Sequence, residues 1–363
     1  MEIVGINNVG IGWGLLDGKK IFVDKTAIGD IIDNNVIVKK SKDRQEILCP
    51  YYEKCGGCNL LHLKDEVYYD FKKRLCGSDV VKTGYGMRRR VVLNEKNGKL
   101  GFFQKNTNEL VEIDNCLMLS PEINAIISKV KTFKMKVAIT QYDNGLGILL
   151  IGKQPESEKL NKFLGENGNI IILSCNSSLY LQRINPIVEF DDVKVEVDGN
   201  VFLQATKLGQ NAIIDLVTKN LKNCKNVLDL YCGVGTYTFP LSKHANVSCY
   251  EGAEQMINLL KKNIGDRNIK AKTRDLVNQP LLVEELNKFD GIVINPPRNG
   301  AGEQCKYLAR SNIKNVVMVS CNPKTFFEDI EVLKNGGYIM EESKGIDQFY
   351  GTNHLEVVGV FKR

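Results

Sequence analysis

Three stretches of this chain combine residue types and spacings that can do chemistry. The string Val-Val-Met-Val-Ser-Cys-Asn-Pro (316–323) delivers Cys321 at the end of an apolar, β-branched run. Such a run is the pattern of a buried parallel strand, and open α/β sheets collect their ligands at the carboxyl ends of those strands. A cysteine is as readily a small buried hydrophobe as a reagent, so its neighbours decide its role. Ile-Asn-Pro-Pro-Arg-Asn-Gly (294–300) follows another strand. Its two prolines cannot continue a ladder, so the chain leaves the sheet in a stiff, extended form and presents Asn295 and Arg298 to the cleft. Near the end, Thr-Asn-His-Leu-Glu (352–356) sets Glu356 at the start of the apolar strand Val357 to Phe361, where an exposed surface glutamate is the plain expectation.

A nucleotide-type site accompanies them. In Val-Leu-Asp-Leu-Tyr-Cys-Gly-Val-Gly-Thr-Tyr-Thr (227–238), a strand ends and Gly233 and Gly235 let the backbone approach a ligand at a helix start. The next strand ends in Glu251, whose carboxylate can take two ribose hydroxyls, and Asp275 after the following helix can receive an adenine amino group. The short Asp-x-x-x-Gly-x-Gly form, lacking a third glycine, favours S-adenosylmethionine over a nicotinamide dinucleotide. With a methyl donor beside it, Cys321 becomes a candidate nucleophile. Thiolate addition at C6 of a pyrimidine turns C5 into an enolate-like carbon that can accept a methyl group. A base must then take the C5 proton, and Glu356 is the candidate.

Cys49, Cys55 and Cys58 fall within ten residues, with Gly56-Gly57 freeing the backbone between the closest two. This is metal-site spacing. Tetrathiolate zinc and a four-iron cluster both suit it, with Cys76, Cys116 or His62 as the fourth ligand.

The elements that must position these residues read as three regions. Residues 1–43 form a Gly-spaced β module, with a tight turn at Asp17-Gly18 and a strand from Ile31 to Val38, suited to a small barrel of the oligonucleotide-binding kind. Residues 44–195 begin with a Cys- and Tyr-rich stretch. Strands at 90–93, 100–103, 138–142, 147–151 and 170–173 follow, mixed with helical patterns. Residues 196–363 alternate strands and helices regularly, as in a doubly wound parallel sheet. The chain has 363 residues, eleven cysteines and a net charge of +6. A mild basic excess permits a nucleic-acid partner. Basic clusters at Lys72-Lys73-Arg74 and Arg88-Arg89-Arg90 are candidate phosphate contacts. No run is long and apolar enough to span a membrane and no leader pattern opens the chain, so a cytoplasmic, membrane-free protein is expected, and cysteines there serve as ligands or nucleophiles.

Taken in order, these motifs resemble the RNA 5-methyluridine methyltransferases. The resemblance covers nearly the whole chain: Cys-x5-Cys-Gly-Gly-Cys (49–58), Arg-Arg-Arg (88–90), Ile-Asp-x-Cys (113–116), Phe-x-Gln (202–204), Asp-Leu-Tyr-Cys-Gly-x-Gly (229–235), Pro-Pro-Arg-x-Gly (296–300), Ser-Cys-Asn-Pro-x-Thr (320–325) and Asp-x-Phe-x-x-Thr-x-His-x-Glu (347–356). It implies a Rossmann-like S-adenosylmethionine methyltransferase domain, a central α+β iron–sulfur domain and a shortened N-terminal barrel of the TRAM or oligonucleotide-binding type. It also implies roles. Cys321 is the nucleophile at C6 and Glu356 the base. Gln204, Tyr231 and Glu251 line the pocket for S-adenosylmethionine and the target base, with Phe202 near a flipped uridine. Cys49, Cys55, Cys58 and Cys116 hold a [4Fe-4S] cluster. Gly233, Gly235, Asp275 and Asn295 fall on the cofactor side, and Arg298 on the substrate side.

The implied reaction is C5 methylation of a uridine in structured RNA by a monomer, with 23S ribosomal RNA favoured over transfer RNA. Where the family usually has Asp, this chain has Asn295. The change removes a negative charge beside a cationic sulfonium and is expected to alter affinity rather than abolish activity. Tyr350-Gly351 replaces a Pro-containing turn. A 5-methylcytidine enzyme is disfavoured by the His-x-Glu segment, and a nicotinamide oxidoreductase leaves Cys321 and Glu356 idle. A non-catalytic RNA-binding relative is supported by Asn295 alone.

Overall fold

A computed structural model describes all residues except Ser177 and Asn200. The N-terminal region forms strands β1 (Ile3–Ile6), β2 (Gly12–Leu16), β3 (Lys19–Val23), β4 (Ile31–Asp33) and β5 (Val36–Lys39). The expected single strand from Ile31 to Val38 is a hairpin instead. Asn34 and Asn35 hold φ of 47° and 63°, values that asparagine tolerates, and two left-handed residues make the turn that suits a tight hairpin. β1 pairs with β2 on one side and reaches β4 through a Glu2–Ile31 bridge on the other. Buried Asp30 accepts hydrogen bonds from Ala27 N, Ser41 N and Arg44, which fixes the exit of this module.

After the cysteine-rich loop come α1 (Asp65–Cys76) and the short β6 (Val80–Val81). The central sheet is built from β7 (Arg90–Lys96), β8 (Lys99–Phe103), β9 (Leu110–Glu112), β10 (Lys136–Tyr142), β11 (Gly145–Ile151), β12 (Ile170–Cys175) and β13 (Ser178–Gln182), in the order 13-12-11-10-7-8-9. Helices α2 (Pro121–Val130) and α3 (Ser157–Glu166) cover one face, over Leu93, Val137, Ile139 and Leu150. Alternation along the strands leaves the other face with Arg90, Val92, Ala138 and Thr140. A hairpin of β14 (Ile187–Phe190) and β15 (Val193–Glu196) then packs Val188, Phe190 and Val195 into the core of the next layer.

The C-terminal layer runs α4 (Lys207–Leu221), β16 (Asn226–Leu230), α5 (Thr238–Leu241), β17 (Asn246–Glu251), α6 (Glu254–Lys262), β18 (Ile269–Thr273), α7 (Val283–Leu286), β19 (Gly291–Ile294), α8 (Glu303–Arg310), β20 (Asn315–Ser320), α9 (Pro323–Asn335), β21 (Ile339–Ile346) and β22 (Glu356–Lys362). Its sheet order is 18-17-16-19-20-22-21-6. Strands β16 to β20 are parallel, as the sequence pattern indicates, but β22 inserts antiparallel between β20 and β21. Both faces are covered, which is why the strands read as unbroken apolar runs. Val227, Val247, Val293 and Val317 face α4 and the β14–β15 hairpin, whereas Leu228, Ile292, Val316 and Met318 face α1, α8 and α9.

One polar tie crosses this packing. Lys72 of α1 pairs with Asp347 at 3.0 Å with both side chains fully buried. Tyr68 Oη donates to the same carboxylate at 2.8 Å, and Lys72 also donates to His354 O. Lys72 therefore serves inside the fold and is not a phosphate contact. Removing one partner of a buried pair leaves an uncompensated charge, at about 3–5 kcal/mol. Lys72→Met is expected to lower urea-unfolding stability by that amount, and Lys72→Met with Asp347→Asn to recover most of it.

Candidate active site

Cys321 emerges at the carboxyl end of β20. Ser320 pairs with Val357 across the β20–β22 ladder, so the next step of that antiparallel register sets Cys321 opposite Glu356. Opposed residues on one sheet face bring their side chains together. Glu356 is only 5% exposed, which overturns the expectation of a surface glutamate. Burial raises its carboxyl to about 7, with the Arg298 guanidinium pulling the other way. Cys321 is half-buried. Burial and the charge of Glu356 raise its thiol, and Arg298 again opposes. Arg298 thus acts on both groups in favour of their charged forms. Its carbonyl is tied to the start of α9 by Asn322 Nδ2 at 3.1 Å and Thr325 Oγ1 at 3.3 Å.

Phe202, Gln204, Arg298 and Glu356 line a cavity of about 600 Å³. Gln204 is buried, and its Oε1 accepts from Gln348 Nε2 at 2.7 Å. Gln348 Oε1 in turn accepts from Thr206 N at 3.2 Å. Gln348 passes so close to α4 that a Cβ at Gly209 would stand 2.5 Å from its Cγ. Phe202 is 68% exposed, with the Arg90 guanidinium 4.7 Å from its ring centroid. Arg88 lies over Phe349 in the same way. Arg89, by contrast, is buried and donates to Gln204 O at 2.9 Å and Gln210 Oε1 at 2.6 Å. The triple-arginine cluster therefore divides, with Arg88 and Arg90 on the cavity and Arg89 in the scaffold.

The glycine-rich turn forms a second group, at the ends of β16, β17 and β19. Glu251 accepts from Gly233 N at 3.1 Å and Ala253 N at 3.0 Å. Gly235 holds φ 99°, and a Cβ there would stand 2.6 Å from the Phe239 ring. Tyr231 also holds a left-handed φ of 63°, a strained value that persists only when its surroundings enforce it. Its N–H donates to Tyr250 O at 2.9 Å, and burial raises its phenol to about 12. Asp229 is fully buried and accepts from Thr238 Oγ1 at 2.6 Å, with its carboxyl raised to about 7 by burial. Asn295 N donates to Leu230 O at 3.2 Å, which holds the proline segment beside this turn. Asp275 lies beyond the end of β18, exposed, and its carboxylate accepts from Val277 N, Asn278 N and Asn278 Nδ2 within its own turn.

Cys49, Cys55, Cys58 and Cys116 all line the cavity that holds Gln204 and Glu356. Burial raises the Cys58 thiol to about 12, and the other three cysteines add to the rise. Cys76 is elsewhere, buried in α1 with its sulfur near Lys72 O and Ser78 O. His62 is buried against Tyr52, whose Oη lies 2.7 Å from His62 Nδ1. Among the described residues no three His, Cys, Asp or Glu side chains converge on a point that could hold a single metal ion.

Gln348 and Thr206 are supporting residues that motif reading does not single out, and Asp347, though a fixed position of the 347–356 motif, is given no role there. Gln348 is a variable position of that motif, so its only signal is its place between Asp347 and Phe349.

The geometry agrees with what known proteins resemble. Residues 271–363 match the family model described as tRNA (Uracil-5-)-methyltransferase, and residues 192–316 match a methyltransferase small domain. An uncharacterized RNA methyltransferase of Agrobacterium fabrum is 30% identical, over 94% of this chain and 92% of its own length. A 23S rRNA (uracil(1939)-C(5))-methyltransferase of Haemophilus influenzae is 28% identical over 99% of this chain and 95% of its own. The crystal structure of the Pyrococcus abyssi tRNA (uracil-54, C5)-methyltransferase, in complex with S-adenosyl-L-homocysteine, shares the fold with a TM-score of 0.78, at 21% identity over 99% of both chains. By its sequence relatives, its family match and its site, the chain belongs to the S-adenosylmethionine-dependent RNA uracil-C5 methyltransferases.

Proposed function

We propose that this chain methylates C5 of a uridine in 23S ribosomal RNA, with Cys321 as nucleophile and Glu356 as base. The carrying observation is the register that sets Cys321 opposite a buried carboxyl with a pKa of about 7. The Haemophilus relative, matched over 99% of this chain, supports ribosomal RNA as the substrate.

Each residue has a task. The target base must leave its stack to reach the cavity, where Phe202 offers an exposed face for it. Cys321 loses its proton to solvent, its thiolate favoured by Arg298, and Sγ bonds to C6, moving the C5–C6 π pair toward C5 and O4. S-adenosylmethionine supplies an electrophilic methyl group on a sulfonium. C5 takes that methyl, and the electron pair of the broken C–S bond stays on sulfur, leaving S-adenosylhomocysteine. Glu356 then takes the C5 proton, the C5–C6 double bond re-forms, and the Cys321 thiolate leaves. Gln204, oriented by Gln348, is placed to hydrogen-bond the base or donor. Gly233, Gly235, Tyr231 and Glu251 shape the donor site, with Asn295 at its edge and Asp275 at the adenine end.

The cysteine quartet is proposed to hold a [4Fe-4S] cluster. Four half-buried thiols meet there, and burial together with their neighbouring cysteines raises those of Cys55, Cys58 and Cys116, which calls for a compensating positive centre. A tetrathiolate zinc needs its sulfurs about 2.3 Å from one shared point, whereas the irons of a cluster bind their thiolates at separate corners of a cube. Methyl transfer involves no redox step, so the cluster is assigned to structure and RNA contact.

Incubation with labelled S-adenosylmethionine and protein-free 23S rRNA should yield 5-methyluridine after digestion. Label on transfer RNA alone would reassign the substrate, and label on no RNA would sink the reading. Cys321→Ala should remove all turnover. Because Glu356 must be ionised to act as base and Cys321 must lose a proton, kcat/KM should fall by at least about tenfold per unit as pH drops below about 7. Protein purified without oxygen should contain about four iron and four sulfide per chain. Cys116→Ala should lose both, whereas Cys76→Ala should keep them.

A further inference from the structure

A second cavity, of about 660 Å³, opens on the central sheet and shares no lining residue with the first. Lys134, Lys136, Lys153 and Lys159 line it, over Phe103 and Phe133. Two carboxylates, Glu95 and Glu156, also line it, so lysine outnumbers acid two to one. Glu95 is already engaged by Gly98 N at 2.7 Å, and Lys159 lies 5.2 Å from the Phe133 ring centroid. Among the described residues, Lys134, Lys136 and Lys153 have no ion-pair partner. All three are exposed. Three ammonium groups around one concavity, none of them in an ion pair among the described residues, repel one another.

The two cavities are consecutive positions on the same strands. On β7, Arg90 and Val92 line the first and Asn94 the second; on β10, Thr140 and Ala138 line the first and Lys136 the second. Register locks these rows together, with Arg90 opposite Thr140, Val92 opposite Ala138, and Lys136 opposite Ile151. Four residues along β7 from Arg90 to Asn94 cover about 13 Å. Between the cationic ends lies an uncovered strip that includes Val92, 48% exposed. α2 and α3 pack on the opposite face and leave this strip open, and at the end of the sheet Lys159 of α3 and Phe133 reach the lysine cavity.

We propose that the lysine-rimmed cavity binds backbone phosphates of the substrate RNA next to the target uridine, with the intervening nucleotides lying across the open sheet face. The inference rests on the reading that RNA is the substrate. Point-charge ammonium groups suit phosphate oxygens, and the continuity of the strip with Arg90 and Phe202 ties this anchor to the reacting base.

The test compares wild type with a triple variant, Lys134→Ala, Lys136→Ala and Lys153→Ala, and with the triple Lys→Arg variant. Binding of protein-free 23S rRNA is titrated by filter retention between 50 and 300 mM KCl, a range set on the order of that over which phosphate contacts are lost. Each phosphate contact adds about 0.9 to the slope of log affinity against log salt. The Ala variant should bind about tenfold more weakly at 150 mM KCl, with a slope smaller by about two to three units. Its KM for S-adenosylmethionine should match wild type, and the Arg variant should keep the wild-type slope. An unchanged slope in the Ala variant, or an equal loss in the Arg variant, overturns the proposal. Binding is read without turnover. A wild-type protein that methylates no RNA but shows the slope difference would count against the catalytic reading and leave this one standing.

Discussion

The insertion of β22 antiparallel between β20 and β21 is the constraint on which the site depends. A parallel final strand would bring its amino end to the opposite edge of the sheet, far from the loop after β20. Run antiparallel, β22 begins where β20 ends, and Glu356 meets Cys321 across one ladder step. The same placement buries Glu356 among strands and gives its carboxyl a pKa near neutrality. Register and acidity therefore have one cause. The segment feeding β22 is held from below by Lys72 and Tyr68 of α1 on Asp347, so the helix that follows the cysteine loop also sets the approach to the base.

The cavity beside that pair joins parts of the chain that are far apart in sequence. Its cysteines come from residues 49–116, its amide from Gln204 and its carboxyl from Glu356. Arg89 and Gln348 converge on Gln204 from the central and C-terminal regions. The basic residues divide accordingly. Lys72 and Arg89 are engaged by buried partners that hold the regions together, whereas Arg88 and Arg90 face the cavity over aromatic rings, Arg90 also tying the central sheet to Leu203 O at 2.7 Å. A base drawn from its stack would meet arginine-backed aromatic surface on entry, and base–aromatic stacking is worth about 1–3 kcal/mol.

Much of this was legible in the sequence because the relevant signals are local. Parallel strands buried on both faces leave unbroken apolar runs, so the stretches ending in Leu230, Glu251, Ile294 and Ser320 could be read directly. The glycine turn and the proline segment declared themselves by backbone needs. What escaped depends on distant partners. Nothing in Lys-Lys-Arg or Arg-Arg-Arg distinguishes the buried member from the exposed ones, because Asp347 and Gln210 lie far along the chain. The direction of β22 leaves no mark on its composition, so the burial of Glu356, unlike its candidacy as the base, could not be read from its own strand. The Asn34-Asn35 hairpin was masked by apolar residues on both sides. The lysine cavity gathers residues from 94 to 159 that no motif links.

The most direct measurement of the central claim is the intact mass of Glu356→Gln after mixing with substrate RNA and S-adenosylmethionine. If Cys321 adds to C6 and Glu356 removes the C5 proton, the variant should stall as a methylated covalent protein–RNA adduct. Adding Cys321→Ala should abolish that adduct. An active site in which Glu356→Gln turns over normally, or in which the adduct survives Cys321→Ala, would contradict the account.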